Sequence, residues 1–236
     1  MQRFFPHYGR ISAHQEDGSK RHVLDLHQWK SPQAITRLDW DVLNWAHPYA
    51  PGYIQPDSTW LDWLTDSTSL TRRLKQVSGQ RFHVQLLQQC LMRPALNECR
   101  LLAMDSQQYA LIRQVILHGE NQPWVFARTV IPLPTLHQGN RHLMMLGNRS
   151  LGSVLFKNAQ TKRTPMEITP YTPDFSTPFI WGRRSTFEIR QAPLLVTELF
   201  LEPFRQHQQL LPLSSNTETV PSAPPALNTM LTPPKG

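Results

Sequence analysis

The stretch ALIRQVILHGENQPWVFARTVIP (residues 110–132) decides the fold. It consists of two apolar runs on either side of HGENQPW. Each run is rich in β-branched and aromatic residues and is short enough for a strand. The Gly-Glu-Asn-Gln-Pro segment between them reads as a hairpin turn. A strand, a tight turn and a returning strand make an antiparallel pair.

Outward from this hairpin the period of two persists. FHVQLLQQCL (82–91), PMEIT (165–169), STFEIR (185–190) and PLLVTELFL (193–201) all read as further strands. GNRHLMMLGNRSLGSVLF (139–156) interrupts them with two short helices, the first ended by Gly147 and the second capped by Ser150. Upstream, Asp57 and Ser58 are placed to cap TWLDWL, and LTRRLKQV follows with Gly79 as its stop. This helical pair reads as lying on a sheet rather than as a DNA-binding helix-turn-helix. Sequential strands with clumped helices predict an α+β domain with one mainly antiparallel sheet.

The expected limits are residues 56–204 for that domain. Residues 1–55 have aromatics without a sustained period and read as an irregular extension that packs in part. Residues 205–236 have no aromatics and are rich in Pro, Ser and Thr, which predicts a disordered tail. The 236 residues carry 24 Lys and Arg against 17 Asp and Glu, a formal charge of +7. The excess comes from scarce acids more than from a basic run, so nucleic-acid binding is not expected, while an anionic small substrate is compatible. Cys90 and Cys99 form neither metal-ligand nor redox spacing, and Cys90 reads as a buried thiol. The histidines show no ligand-like spacing, and there is no P-loop or GxGxxG. No secretory signal or membrane span is read, so a cytoplasmic protein without metal or organic cofactor is expected.

Three charges break the alternation of their strands. Arg113 shares its strand face with Leu111, Val115 and Leu117. Arg128 shares its face with Trp124, Phe126 and Val130, and Glu198 with Leu194, Val196 and Phe200. One reading is a buried Arg–Glu–Arg network that only holds the sheet together. The other is a ligand site, since desolvated charges contribute little to stability and suit a ligand. Two guanidinium groups fit a small dicarboxylate, and a glutamate fits a hydroxyl donor.

Five segments in order carry a further signal: LDWLTDSTSLTRRL (61–74), IRQVILHGENQPWVFARTVIP (112–132), RSLGSVLF (149–156), WGRRSTFEI (181–189) and PLLVTELFLEPF (193–204). Together they resemble the bacterial chorismate pyruvate-lyases, which form 4-hydroxybenzoate for ubiquinone synthesis. The resemblance implies a single α+β domain with a ligand site enclosed beneath helical flaps. It implies chorismate as the small-molecule substrate, no cofactor, no nucleic acid, no membrane insertion and a monomer. It places the carboxylate-binding arginine at Arg113 and the glutamate beside the ligand hydroxyl at Glu198. Flap backbone contacts fall at Leu70 and Leu151, and the second arginine falls at Arg128. Arg113 and Glu198 are the expected catalytic residues. Two positions depart from the family pattern: Leu70 stands where a methionine is usual, and Ala127 replaces the glycine before the second arginine. The alternative reading is a non-catalytic ligand-binding module related to effector domains of GntR-type regulators.

Overall fold

The computed structural model of the chain describes residues 38–79, 81–156, 161–171 and 180–210. Seven strands form one antiparallel sheet: β1 (His83–Met92), β2 (Ala110–Gly119), β3 (Gln122–Pro132), β4 (Lys162–Arg163), β5 (Glu167–Tyr171), β6 (Ile180–Ile189) and β7 (Ala192–Phe200). The order across the sheet is β1-β2-β3-β7-β6-β4, and β5 pairs with β6 on the same side as β4. The α+β antiparallel architecture is the expected one. Both long hairpins turn through two residues of positive φ, Glu120 and Asn121 at one and Arg190 and Gln191 at the other. That backbone matches the right-handed twist of the strands.

Helices α1 (Ser58–Thr65) and α2 (Leu70–Val77) start where expected, because side chains satisfy their first N–H groups. Asp57 accepts from Thr59 and Trp60, and Ser69 accepts from Arg72. Trp60, Trp63 and Leu64 of α1 and Leu70 and Leu74 of α2 are buried. Helix α3 (Leu96–Leu101) was not anticipated. A single turn α4 (Leu133–Thr135) leads into irregular turns through Met145, and α5 (Gly152–Leu155) follows. Gly147 has φ +52° and ends the turn before it. Ser150 does not cap α5 with its side chain, contrary to expectation, because its hydroxyl instead meets that of Thr71.

The last element, α6 (Glu202–His207), crosses the boundary expected at residue 204, and Leu210 is buried. Phe204 sits among Trp60, Trp63, Trp124 and Phe200, so burial of an aromatic cluster carries the chain past that limit. The remainder of the proposed tail, residues 211–236, and residues 1–37 of the proposed extension lie outside the described residues. Residues 38–46 of that extension add to the domain. Trp40 is buried and stacks on Phe126, and Ala46 bridges to Ile168. Cys90 is half-buried rather than buried, while Cys99 is buried.

Candidate active site

The register sorts the charged side chains onto two faces. Val115, Ala127, Glu198 and Arg183 stand opposite one another across β2, β3, β7 and β6. The next row on the same face is Arg113, Thr129, Val196 and Ser185. Arg128 belongs to the intervening row with Gln114, Thr197 and Arg184, whose side chains leave the other face. The expected convergence of Arg113, Arg128 and Glu198 is therefore corrected at Arg128. Its Nε and Nη2 donate to Glu98 of α3 at 2.8 and 2.9 Å, and its guanidinium lies 4.9 Å from the centre of the Trp40 ring. Alternation within a strand gives parity only, and the face follows from pairing with the neighbours.

On the first face a cavity opens between the sheet and two flaps. One flap is the turn from α1 into α2, carrying Thr68 to Thr71. The other is the segment Ser150–Phe156. The sheet contributes Arg113, Ala127, Thr129, Arg183 and Glu198 to the floor, and Arg163 closes one side. The flaps meet above: the Thr71 and Ser150 hydroxyls are 2.5 Å apart. Gly152 allows this approach, since a Cβ there would stand 3.1 Å from the Ser69 hydroxyl and 3.2 Å from that of Thr71. Leu70 and Leu151, the two expected flap residues, are buried and line the cavity. Leu70 is the first residue of α2, where backbone N–H groups have no acceptor inside the helix.

Arg113 is 2% exposed, and among the described residues no carboxylate pairs with it. Its Nη2 donates to the carbonyls of Gly147 and Arg149, both at 2.8 Å, so it braces the base of the second flap. Its Nε is buried and has no partner among the described residues. Burial without a compensating anion pushes its pKa down to about 10.

Glu198 faces Arg183. Arg183 Nε donates to Glu198 Oε2 at 2.7 Å, and its Nη1 donates to the carbonyls of Trp63 and Asp66. Only one carboxylate oxygen of Glu198 is engaged among the described residues. Arg183 was missed in the sequence because β6 was read from Ser185. Extending the alternation back to Trp181 would have set Arg183 on the face of Phe187. Arg163 was missed because β4 has only two residues, too few for a period. Among the described residues no cluster of three or more His, Cys, Asp or Glu could hold a metal ion. No helix among them is long and apolar enough to cross a membrane.

The arrangement is a pocket beneath the flaps with net positive charge and, among the described residues, one Glu198 oxygen left to accept. Such a pocket is suited to a small anion that bears a hydroxyl.

Residues 42–209 match the family model described as chorismate lyase. A "Probable chorismate pyruvate-lyase" of Pseudomonas putida is 37% identical over 178 residues, covering 73% of this chain and 92% of the relative. A "Probable chorismate pyruvate-lyase 2" of Pseudomonas entomophila is 39% identical over 179 residues, again covering 73% and 92%. Among solved structures, the effector domain of PhnF from Mycobacterium smegmatis is 12% identical with a TM-score of 0.43, covering 58% of this chain and 90% of that one.

Proposed function

The chain belongs to the chorismate lyase family and is a lyase that converts chorismate to 4-hydroxybenzoate and pyruvate, and we propose that Arg113, Glu198 and the flap backbone at Leu70 and Leu151 carry this reaction. The observation that supports these roles is the pairing of an arginine lacking any acid partner with a half-engaged glutamate in one closed pocket.

The substrate is a cyclohexadiene with a ring carboxylate, a hydroxyl opposite it, and an enolpyruvyl ether next to the hydroxyl. Arg113 holds the ring carboxylate through the N–H groups not spent on the flap carbonyls. The first-turn N–H of Leu70 and that of Leu151 add neutral donors to the same anionic end. Glu198 accepts from the ring hydroxyl through its free oxygen, while the hydrogen bond from Arg183 aims the carboxylate. The ether C–O bond breaks, and the hydrogen on the hydroxyl-bearing carbon leaves as a proton. Its electron pair completes the aromatic ring. The released enolpyruvate takes a proton at its methylene carbon and becomes pyruvate. Aromatisation drives the step, so the protein supplies position and charge rather than a strong acid or base. The flaps exclude water while the ring is bound.

We also place the enzyme in the cytoplasm as a monomer supplying 4-hydroxybenzoate to quinone synthesis. The test is to incubate the purified full chain with chorismate and follow 4-hydroxybenzoate by absorbance. Pyruvate is read in parallel with lactate dehydrogenase and NADH. Equal yields of both products are expected. Binding of chorismate without product would leave only a ligand-binding module.

A further inference from the structure

The charge count of the pocket goes further than the roles above. Three guanidinium groups, from Arg113, Arg163 and Arg183, face it together with one carboxylate, that of Glu198. Arg183 is neutralised by Glu198 at 2.7 Å. Two positive charges remain, on Arg113 and Arg163, and neither has a carboxylate within ion-pair distance among the described residues. A further acid, Asp66 at the first flap, is held by Arg73 at 3.3 Å and by the Thr68 N–H at 2.7 Å.

Arg163 is fixed without being saturated. Its Nε donates to Ser185 Oγ at 2.8 Å and its Nη1 to the Ser67 carbonyl at 3.1 Å. Among the described residues its Nη2 meets only the Met166 sulfur, at 3.2 Å, and a thioether is a weak acceptor. Its guanidinium lies 4.8 Å from the centre of the Phe187 ring. Ser185 stands in the same cross-strand row as Arg113, so the two free cations bracket one row of the sheet. Three strand spacings separate Arg113 from Ser185, about 14 Å at the usual spacing. That span suits a six-membered ring with an anionic group toward each end. Ser185 is two residues from Arg183 on β6, and its partner Val196 is two residues from Glu198 on β7, so Arg163, held on Ser185, stands one row from the Arg183–Glu198 pair on the same face.

Building on the lyase reading, we propose that Arg163 binds the second carboxylate of the substrate, the one on the enolpyruvyl ether. The ether and the ring hydroxyl sit on adjacent carbons, so the group that binds this carboxylate must lie beside Glu198, as Arg163 does. Arg163 takes the place that Arg128 was expected to fill. It makes the pocket selective for a dianion, and its contact is lost once pyruvate leaves. The aromatic product is then held by Arg113, Glu198 and the flaps, without Arg163.

The product serves as the control ligand, because it keeps the ring carboxylate and hydroxyl but lacks the enolpyruvyl group. In the Arg163→Ala protein, KM for chorismate should rise roughly 10- to 100-fold, as for loss of one charge-assisted contact. The Kd for 4-hydroxybenzoate, measured by calorimetry, should stay close to that of the parent. Arg163→Lys, which keeps the charge and is the gentler change should Arg163→Ala fail to fold, should weaken chorismate more than 4-hydroxybenzoate by several-fold. Equal weakening of both ligands in a folded variant, or of neither, would overturn the proposal. Absence of chorismate turnover by the parent would instead remove the lyase reading, so the two failures are told apart.

Discussion

The two faces of the sheet answer the same problem in opposite ways. On one face Arg128 and Glu98 are 3% and 1% exposed and make two parallel hydrogen bonds, with Trp40 alongside. Both oxygens of Glu98 are used, since Oε2 also accepts from the Ala95 N–H at 2.9 Å. Neither oxygen of this carboxylate is left over for a ligand. On the other face Arg113 has a buried Nε without a partner, Arg163 leans on a sulfur, and Glu198 uses one oxygen. A desolvated charge on an apolar strand face is therefore no sign of a binding site by itself. The sign is incomplete satisfaction, because a dry, complete pair is architecture and an incomplete one awaits something.

Cutting the complete pair is the sharpest way to break this comparison. Arg128→Met strands Glu98 as an unpaired buried charge and should cost about 3–5 kcal/mol in urea unfolding. Arg128→Met with Glu98→Leu should recover most of that loss. In both proteins kcat/KM per folded molecule should remain near the parent value, and a collapse of activity in the folded double variant would put Arg128 back in the site. On the open face, Arg113→Ala should lower kcat/KM by about 2–4 kcal/mol, roughly 30- to 1000-fold. Its melting temperature should move much less, because no acid is orphaned.

Glu198→Gln keeps the shape and an acceptor while removing the charge. It should cut kcat by about 10- to 100-fold, the worth of one hydrogen bond to an ionised group. Kinetics and melting on the same sample decide the matter: a lower melting point with parental kcat would move Glu198 into the class of Glu98. The smallest effect is expected at the roof. Thr71→Val removes the hydroxyl contact to Ser150 and should speed release of 4-hydroxybenzoate roughly two- to tenfold, as expected for one neutral hydrogen bond. Stopped-flow displacement would show it.

What was legible in the sequence follows the same physics. Long strands announce themselves by period two, α1 by Asp57 at its start and α2 by Gly79 at its end; the Ser69 cap emerges only in the structure. Helix α3 was silent because Leu96–Leu101 is too short for a helical period and Ala95 gives it no side-chain cap. Its start is secured instead by Glu98 reaching back to the Ala95 N–H. Arg113 and Glu198, marked by their apolar strand faces, and Leu70 and Leu151, supplied only by the family resemblance, line one cavity. Arg128 was found but placed on the wrong face, since strand parity becomes a direction only when the pairing register is known. The β6–β7 hairpin turn was also silent: Arg190 and Gln191 both adopt positive φ, which favours Gly or Asn, so their identities give no turn signal.

That unassuming turn gives the Arg183–Glu198 pair a second meaning. Arg-Gln does little to dictate how two strands of similar apolar character should slide into place. Arg183 and Glu198 are direct partners across them. A slip of one residue would turn every β7 side chain to the opposite face, facing Arg183 with Thr197 or Leu199 and sending the carboxylate to the back of the sheet. The misaligned hairpin would bury a guanidinium without an anion, and the chain would be driven to release it and try again. The pair thus favours the native register over a one-residue slip, and the contact that sets the register is also part of the floor of the pocket.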